Sequence, residues 1–554
     1  MRFGFVIDQH RCIGCHACTV ACKAEHSIPI GVNRTWVKYI EKGTFPNTSR
    51  HFAVLRCNHC DDAPCVEICP TIALFRRPDG IVDFDGNRCI GCKSCMQACP
   101  YDALYIDPDS NTAAKCNFCA HRVETGLKPA CEIVCPTQAI ISGDLDDPGS
   151  PIRRIVAAEK VTVRKPEKGT DPKLFYVGVD GDLLRPTRVE AQASYLWAEK
   201  EGGGERGSGR AGEGESGRAG EGEKFRSSND EFRMNHGELP VFIRNSTFEP
   251  RSFSPSPTLS SLVTSREVYN VPHPQPWGRM IASYLWTKSI AAGVLLVAAL
   301  VAGAGYQQQK MLLYIASPAL AVVFTAITVL LLILDLKRPE RFFYLLIKPN
   351  LKSWLVLGGY ILILYGGAAT LCLFFGARGI PIPSILFWVA AVLAVASACY
   401  SAFLFAQAKG RDLWQSPLFL WHLLVQAITA GAATLIIGGA ALQASPDVIV
   451  LMSKMLGISL TFTLALVLGE VFLTPVTEDV SRATDLLKRG SLSRIFWGIM
   501  VGVGVLLPLA LLLFSAIQTD ASWLFPVVAS VLALMGLWVF EDLWIKAGQA
   551  VPLS

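Results

Sequence analysis

Apolar residues are arranged along this chain in two different ways. From Ile281 onward they form eight stretches, near 281–303, 311–335, 353–376, 383–407, 417–441, 447–474, 492–516 and 521–543. Each runs to roughly twenty residues or more, enough to cross a bilayer as a helix. Only short polar connections separate them, so the pattern predicts an all-α eight-helix transmembrane bundle. Before about residue 200 the apolar runs are short and bounded by turn residues. Met1–Asp8, Val54-Leu55-Arg56, Gly80–Asp83, Ala103–Asp107 and Lys173–Gly178 read as strands of an α+β domain. Between the two lies a tandem octapeptide, Ser208–Glu215 repeated as Ser216–Glu223, whose composition cannot bury apolar surface. It reads as a flexible charged linker, and the proline-spotted residues 225–278 as a strap along a domain surface. The expected division is 1–195, 196–280 and 281–554.

Charge adds a direction. The net charge of +5 is modest and points away from nucleic acid. In the loops, however, Lys337, Arg338, Arg341, Lys348, Lys352, Lys409, Arg411, Arg482, Lys488, Arg489, Arg494 and Lys546 fall on the side of the N-terminal domain, against Lys310 and Arg378 opposite. The positive-inside rule then puts that domain in the cytoplasm of a cell whose inner membrane holds the bundle. The N-terminus shows neither a signal peptide nor a twin-arginine leader, an expectation that agrees.

Cysteine supplies the chemistry. Sixteen of the eighteen lie before residue 136, in four groups of four. They are Cys12, Cys15, Cys18 and Cys22; Cys57, Cys60, Cys65 and Cys69; Cys89, Cys92, Cys95 and Cys99; and Cys116, Cys119, Cys131 and Cys135. The last three groups end in Cys-Pro, and Thr-x-Ala-Ile/Leu follows at Thr71 and Thr137. A triple-Cys run with a trailing Cys-Pro is the ferredoxin arrangement, in which three thiolates serve one cubane cluster and the fourth serves another. Paired C-x2-C units also make zinc sites, the alternative chemistry. Four runs imply four 4Fe-4S clusters and a double ferredoxin-like iron–sulfur domain. Cys372 and Cys399, inside apolar spans, read as small buried residues.

In order and spacing, these cysteines resemble the four-cluster iron–sulfur subunit of the molybdopterin oxidoreductases, the group of the dimethyl sulfoxide and polysulfide enzymes. Cys22 departs from the pattern in being followed by Lys23 rather than proline. The resemblance implies a crossed pairing. Cys12, Cys15 and Cys18 would join Cys135, and Cys116, Cys119 and Cys131 would join Cys22. Cys57, Cys60 and Cys65 would join Cys99, and Cys89, Cys92 and Cys95 would join Cys69. The apolar half is similar to the NrfD-type subunit of polysulfide reductase through Leu334-Asp335-Leu336-Lys337-Arg338-Pro339-Glu340-Arg341-Phe342, Pro349-Asn350, Ser353-Trp354, Trp414-Gln415-Ser416-Pro417 and Ala547-Gly548-Gln549. That resemblance implies a quinone (menaquinone or ubiquinone) as exchangeable substrate, and a separate molybdenum- or tungsten-pterin catalytic subunit as partner.

Ionisable residues inside spans are functional candidates because burial there is costly. Lys288, Asp335, His422, Glu470 and Glu541 are the set, with Tyr360, Tyr365 and Tyr400 as phenol donors. Quinone chemistry moves two protons with two electrons. His422 and Asp335, with Lys288, are therefore expected to line a head-group pocket, and Glu470 to connect it to water. The overall expectation is an electron-transfer subunit between a catalytic subunit and the quinone pool. The alternatives are a respiratory subunit fed by another soluble donor, and a membrane anchor with no quinone site of its own.

Overall fold

The computed structural model describes residues 1–44, 46–191, 265–472, 477–518 and 523–554. The tandem octapeptide and most of the expected linker lie outside the described residues.

The N-terminal region is built from two four-stranded sheets and two hairpins. In the first sheet Phe3–Asp8 is central, antiparallel to Ile140–Asp144 and parallel to Leu174–Val177. This brings the end of the last cysteine run beside the start of the chain. The second sheet is organised on the long hairpin Thr35–Thr44 and Asn47–Arg56. Ser265–Tyr269 joins its edge, pairing antiparallel with the first of these strands, so the chain is stitched back onto this domain just before it enters the apolar half. Hairpins Leu74–Arg76/Val82–Phe84 and Leu104–Ile106/Ala113–Lys115 separate the cysteine runs.

The cysteine loops repeat a backbone device. The residue before the second cysteine of each run is left-handed: Gly14 (φ 71°), His59 (φ 45°), Gly91 (φ 69°) and Phe118 (φ 63°). The third residue after each Cys of a Cys-Pro is left-handed too: Ile72, Asp102 and Gln138. Such turns aim successive N–H groups inward and make anion-binding nests. Here the nests hold sulfur. His59 N donates to Cys57 Sγ, Gly91 N to Cys89 Sγ, and Ala139 N to Cys135 Sγ. Cys22, which lacks the proline, has no such turn, because the helix Ala17–His26 simply continues past it.

Among the described residues eight helices are long and apolar enough to span a membrane, and the chain is a multi-pass membrane protein. The first, Arg279–Gly303, packs against the second, fourth, fifth and eighth, and its 83% burial makes it the centre of the bundle. It crosses the fifth, Phe419–Ala441, at backbone contact. A Cβ on Gly293 would fall 1.9 Å from the Ala427 carbonyl oxygen, so only glycine fits. Small residues at such crossings are how helices associate where no hydrophobic force drives them together.

The eighth helix differs from its expected extent. The apolar run ends near 543, but the helix continues to Ala550, because its last turns bind the N-terminal domain instead of water. Gln549 accepts from Gln97 Nε2 at 2.6 Å, and both are buried. Arg411, in the loop after the fourth span, donates to Gln97 and to the carbonyls of Gln549 and Val551. Burial lowers the Arg411 pKa to about 10, against the raising fields of Asp102 and Asp479.

Candidate functional site

Two of the crossed sets each line one cavity. Cys57, Cys60, Cys65 and Cys99 line the first. Cys69, Cys89, Cys92 and Cys95 line the second. In the other module Cys12 feels the charge of Cys135 and Cys15, and Cys18 that of Cys12. Cys22 feels Cys116, Cys131 and Cys119. Burial is the main cause that raises these thiols: Cys18 and Cys99 to about 11, Cys92 and Cys116 to about 12. Sulfur in such an environment is held as thiolate when a metal centre supplies the compensating charge. Among the described residues no three His, Cys, Asp or Glu side chains meet closely enough for a single ion. The wider cages suit a cubane better than zinc.

Electrostatic contacts between sets give an order. Cys18 interacts with Cys131, Cys116 with Cys57, and Cys95 with Cys65. The sets therefore run from Cys12/15/18/135, through Cys22/116/119/131 and Cys57/60/65/99, to Cys69/89/92/95. The first is outermost, with Cys15 exposed and Cys12 and Cys135 half-buried. The last rests on the membrane helices.

The motif around Asp335 forms that seat. Lys93 Nζ, beside Cys92, lies 2.9 Å from Asp335 Oδ2. Arg338 N and Lys337 N donate to the carbonyls of Ile90 and Gly91. Arg341 reaches the carbonyls of Gly86 and Cys89. Asn350 Nδ2 donates to Cys69 O at 2.8 Å, and Ser353 Oγ to Ile68 O at 2.7 Å. The loop between the second and third spans thus grips the cysteine loops largely through their backbone.

Directly beneath is an apolar cavity of about 180 Å³. Cys92 and Trp277 stand at one wall, and Asp335, Tyr284, Tyr360 and Tyr400 supply polar groups among leucine and isoleucine side chains of the second and third spans. Trp277 Nε1 donates to Cys92 O at 3.4 Å. Of the ionisable span residues singled out from sequence, Asp335 alone of the Lys, Asp, His and Glu set lines this cavity, together with two of the phenol candidates, Tyr360 and Tyr400. Lys288 sits one step deeper, fully buried, donating to Ser401 Oγ at 2.7 Å and Ala398 O at 2.9 Å. Tyr284 links it to the cavity, because its hydroxyl bonds Ser401 Oγ at 2.6 Å and Tyr400 Oη at 2.7 Å. Glu541 is buried nearby, its carboxylate oxygens without a hydrogen-bond partner among the described residues, and its charge acts on Lys288. Tyr284 was absent from the sequence set, although the signal that picked out Tyr360, Tyr365 and Tyr400, a phenol within an apolar span, would have found it too.

His422 and Glu470 form a separate pair on the fifth and sixth spans. Nε2 is 3.0 Å from Glu470 Oε2, within ion-pair distance but not aligned as a hydrogen bond. The imidazole stacks on Phe540 of the eighth span, and Ser416 Oγ donates to Glu470 Oε1 at 2.6 Å. The helix packing turns His422 toward the eighth span, away from Asp335. Tyr365 is spent on the Ala291 carbonyl.

A cysteine-lined electron path seated on a multi-pass bundle defines a membrane-bound iron–sulfur electron-transfer protein. Residues 267–552 match the family described as polysulphide reductase, NrfD, and residues 11–74 and 49–145 match 4Fe-4S dicluster domains. The chain belongs to the NrfD family, with an iron–sulfur subunit fused ahead of the membrane domain. A tetrathionate reductase subunit of Salmonella typhimurium is 44% identical over 202 residues, covering 36% of this chain and 80% of its own length. A polysulfide reductase component of Wolinella succinogenes is 41% identical over 179 residues, 32% of this chain and 94% of its own. The arsenate respiratory reductase iron–sulfur subunit of Shewanella sp. is 35% identical over 227 residues, 32% of this chain and 96% of its own. All three are named as components of reductases, and the Shewanella protein as an iron–sulfur subunit.

Proposed function

We propose that the chain carries electrons between a molybdopterin-type catalytic subunit and the quinone pool of an inner membrane, through four 4Fe-4S clusters held by the crossed cysteine sets. The clusters are one-electron carriers, and the protein's part is to fix their order and surroundings. The domains follow as an iron–sulfur region to about residue 195, a linker, and a membrane region from about 281. Loop charge favours an iron–sulfur domain on the cytoplasmic side. The catalytic subunit docks at the outer end, where Cys15 is exposed and Ile13, Val20 and Ile133 present apolar surface.

The observation that carries the quinone reading is the cavity at Cys92. It is apolar enough for a ring and isoprenoid tail, touches a cysteine of the last set, and converges a carboxylate and phenols on one region. Asp335 and the Tyr284 and Tyr400 hydroxyls orient the two carbonyls. Protons lost or gained at those oxygens pass along Tyr284, Ser401 and Lys288, with Glu541 as the buried counter-charge. His422 and Glu470 are a second, separate polar station, with Ser416 leading toward the loop before the fifth span.

The test uses the purified full chain in detergent, reduced and freed of excess reductant, then mixed with a short-chain quinone. Cluster absorbance should recover rapidly and with saturation. Recovery that stays slow and linear in quinone concentration refutes the cavity as a quinone site. Molybdenum or tungsten near one per complex in material purified with its partner would support the pterin subunit, and iron alone would remove it.

A further inference from the structure

Arg56 is a fully buried guanidinium with no carboxylate in ion-pair contact among the described residues. It ends the strand Asn47–Arg56, immediately before Cys57, and stacks over Phe5 at 4.5 Å. Nη1 donates to Cys131 Sγ at 3.0 Å, while Nε and Nη2 have no partner among the described residues. The charges it meets are thiolates: Cys131, then Cys116 and Cys18. A buried guanidinium is costly unless an anion offsets its lost hydration. Its counter-ion here is the Cys22/116/119/131 set itself. That same set takes a second side-chain contact, from His26 Nε2 at 3.2 Å from Cys119 Sγ.

The other sets are served differently. Backbone N–H groups meet Cys57, Cys89 and Cys135. Lys93, near Cys92, is neutralised by Asp335. Lys115 is buried and its charge reaches Cys65, but its ammonium donates to the carbonyls of Val82 and Cys116 where Arg56 donates to a sulfur. Reduction adds one negative charge to a cluster, and a cation in contact within a low-dielectric interior favours that state. Hydrogen bonds to the sulfurs act in the same direction and are a recognised control of cluster potential.

We propose that Arg56 makes the cluster of Cys22, Cys116, Cys119 and Cys131 the most easily reduced of the four, an electron reservoir one step inside the outer end of the path. This rests on the cluster assignment proposed above. The consequence is an uneven path, in which an electron from the outermost set falls into the reservoir and must climb again to reach Cys92.

The experiment is an EPR-monitored redox titration of the full chain, with iron content measured in parallel. In Arg56→Gln the highest midpoint should move to lower potential while the others hold. Arg56→Lys, which keeps charge but loses the fork, should give a smaller shift in the same direction. Cys119→Ser must alter that same highest-potential signal. An unchanged highest midpoint in both Arg56 variants, with full iron, overturns the proposal, as does a Cys119→Ser effect confined to a lower-potential signal. Should Arg56→Gln lose iron, the Lys variant decides alone. Wild-type iron short of four clusters would instead count against the assignment.

Discussion

Lys93 and Asp335 are 242 residues apart in sequence and form a 2.9 Å ion pair between the innermost cysteine loop and the end of the second span. Their side chains are only 8% and 13% exposed. The pair holds the iron–sulfur domain to the bundle, and its Asp335 forms part of the cavity wall. Removing one partner of a buried pair costs about 3–5 kcal/mol, because the other is left charged and unpaired. Asp335→Ala should therefore destabilise the junction by about that much. Lys93→Met with Asp335→Leu should recover most of it without recovering quinone-linked turnover. Thermal unfolding in detergent, read beside quinone reoxidation of the reduced protein, separates the two roles.

The crossed cysteine sets make a prediction that adjacency in sequence does not. Cys22→Ser and Cys131→Ser, from different runs, should alter the same EPR signal of the reduced protein. Cys18→Ser and Cys22→Ser, from the same run, should alter different ones. The opposite result would mean that each run keeps its own cluster.

Gly359 lines the cavity, and a Cβ added there would meet nothing within 4 Å. Gly359→Phe should fill the space with little strain and lower quinone reoxidation by at least tenfold, leaving every cluster signal intact. Tyr284→Phe removes only a hydroxyl, and loss of a proton-transfer group is typically worth about 10²–10⁴-fold. Its defect should appear in the maximal rate more than in the quinone concentration for half-saturation. Stopped-flow absorbance checks both variants.

Asp102 ties the returning strand to the iron–sulfur domain through His273 Nδ1, 2.6 Å away. Burial raises its pKa, but the His273 hydrogen bond and the charges of His273, Arg411 and Arg164 outweigh that, and the value lies below the usual 3.8. A carboxylate lowered on folding contributes stability that is complete above its unfolded pKa and lost as pH falls through the folded one. Amide exchange at Ser265–Tyr269 should therefore speed up below about pH 4 beyond the intrinsic pH effect. Asp102→Asn, which keeps a side chain tolerant of the left-handed backbone there (φ 56°), should show the faster exchange at neutral pH and no acid step.

The eight spans were legible because length and composition alone decide whether a helix can satisfy its backbone in lipid. The cysteine spacing was legible because four thiolates within a few turns leave little chemistry besides a metal centre. The missing proline after Cys22 was only a departure in the sequence, and the structure shows that a helix runs on there. The grouping of Asp335, His422 and Lys288 could not be read that way. Each is an ionisable residue in an apolar helix, and which of them meet depends on the rotation and crossing of helices far apart in sequence. Close contact at Gly293 and Ala427 holds the first and fifth spans together, and the fifth presents His422 to Phe540. Asp335 meets Lys93 because the second span ends under a cysteine loop. Composition determined what this chain is made to carry. The contacts between distant segments decided the order of the path and where it meets the membrane.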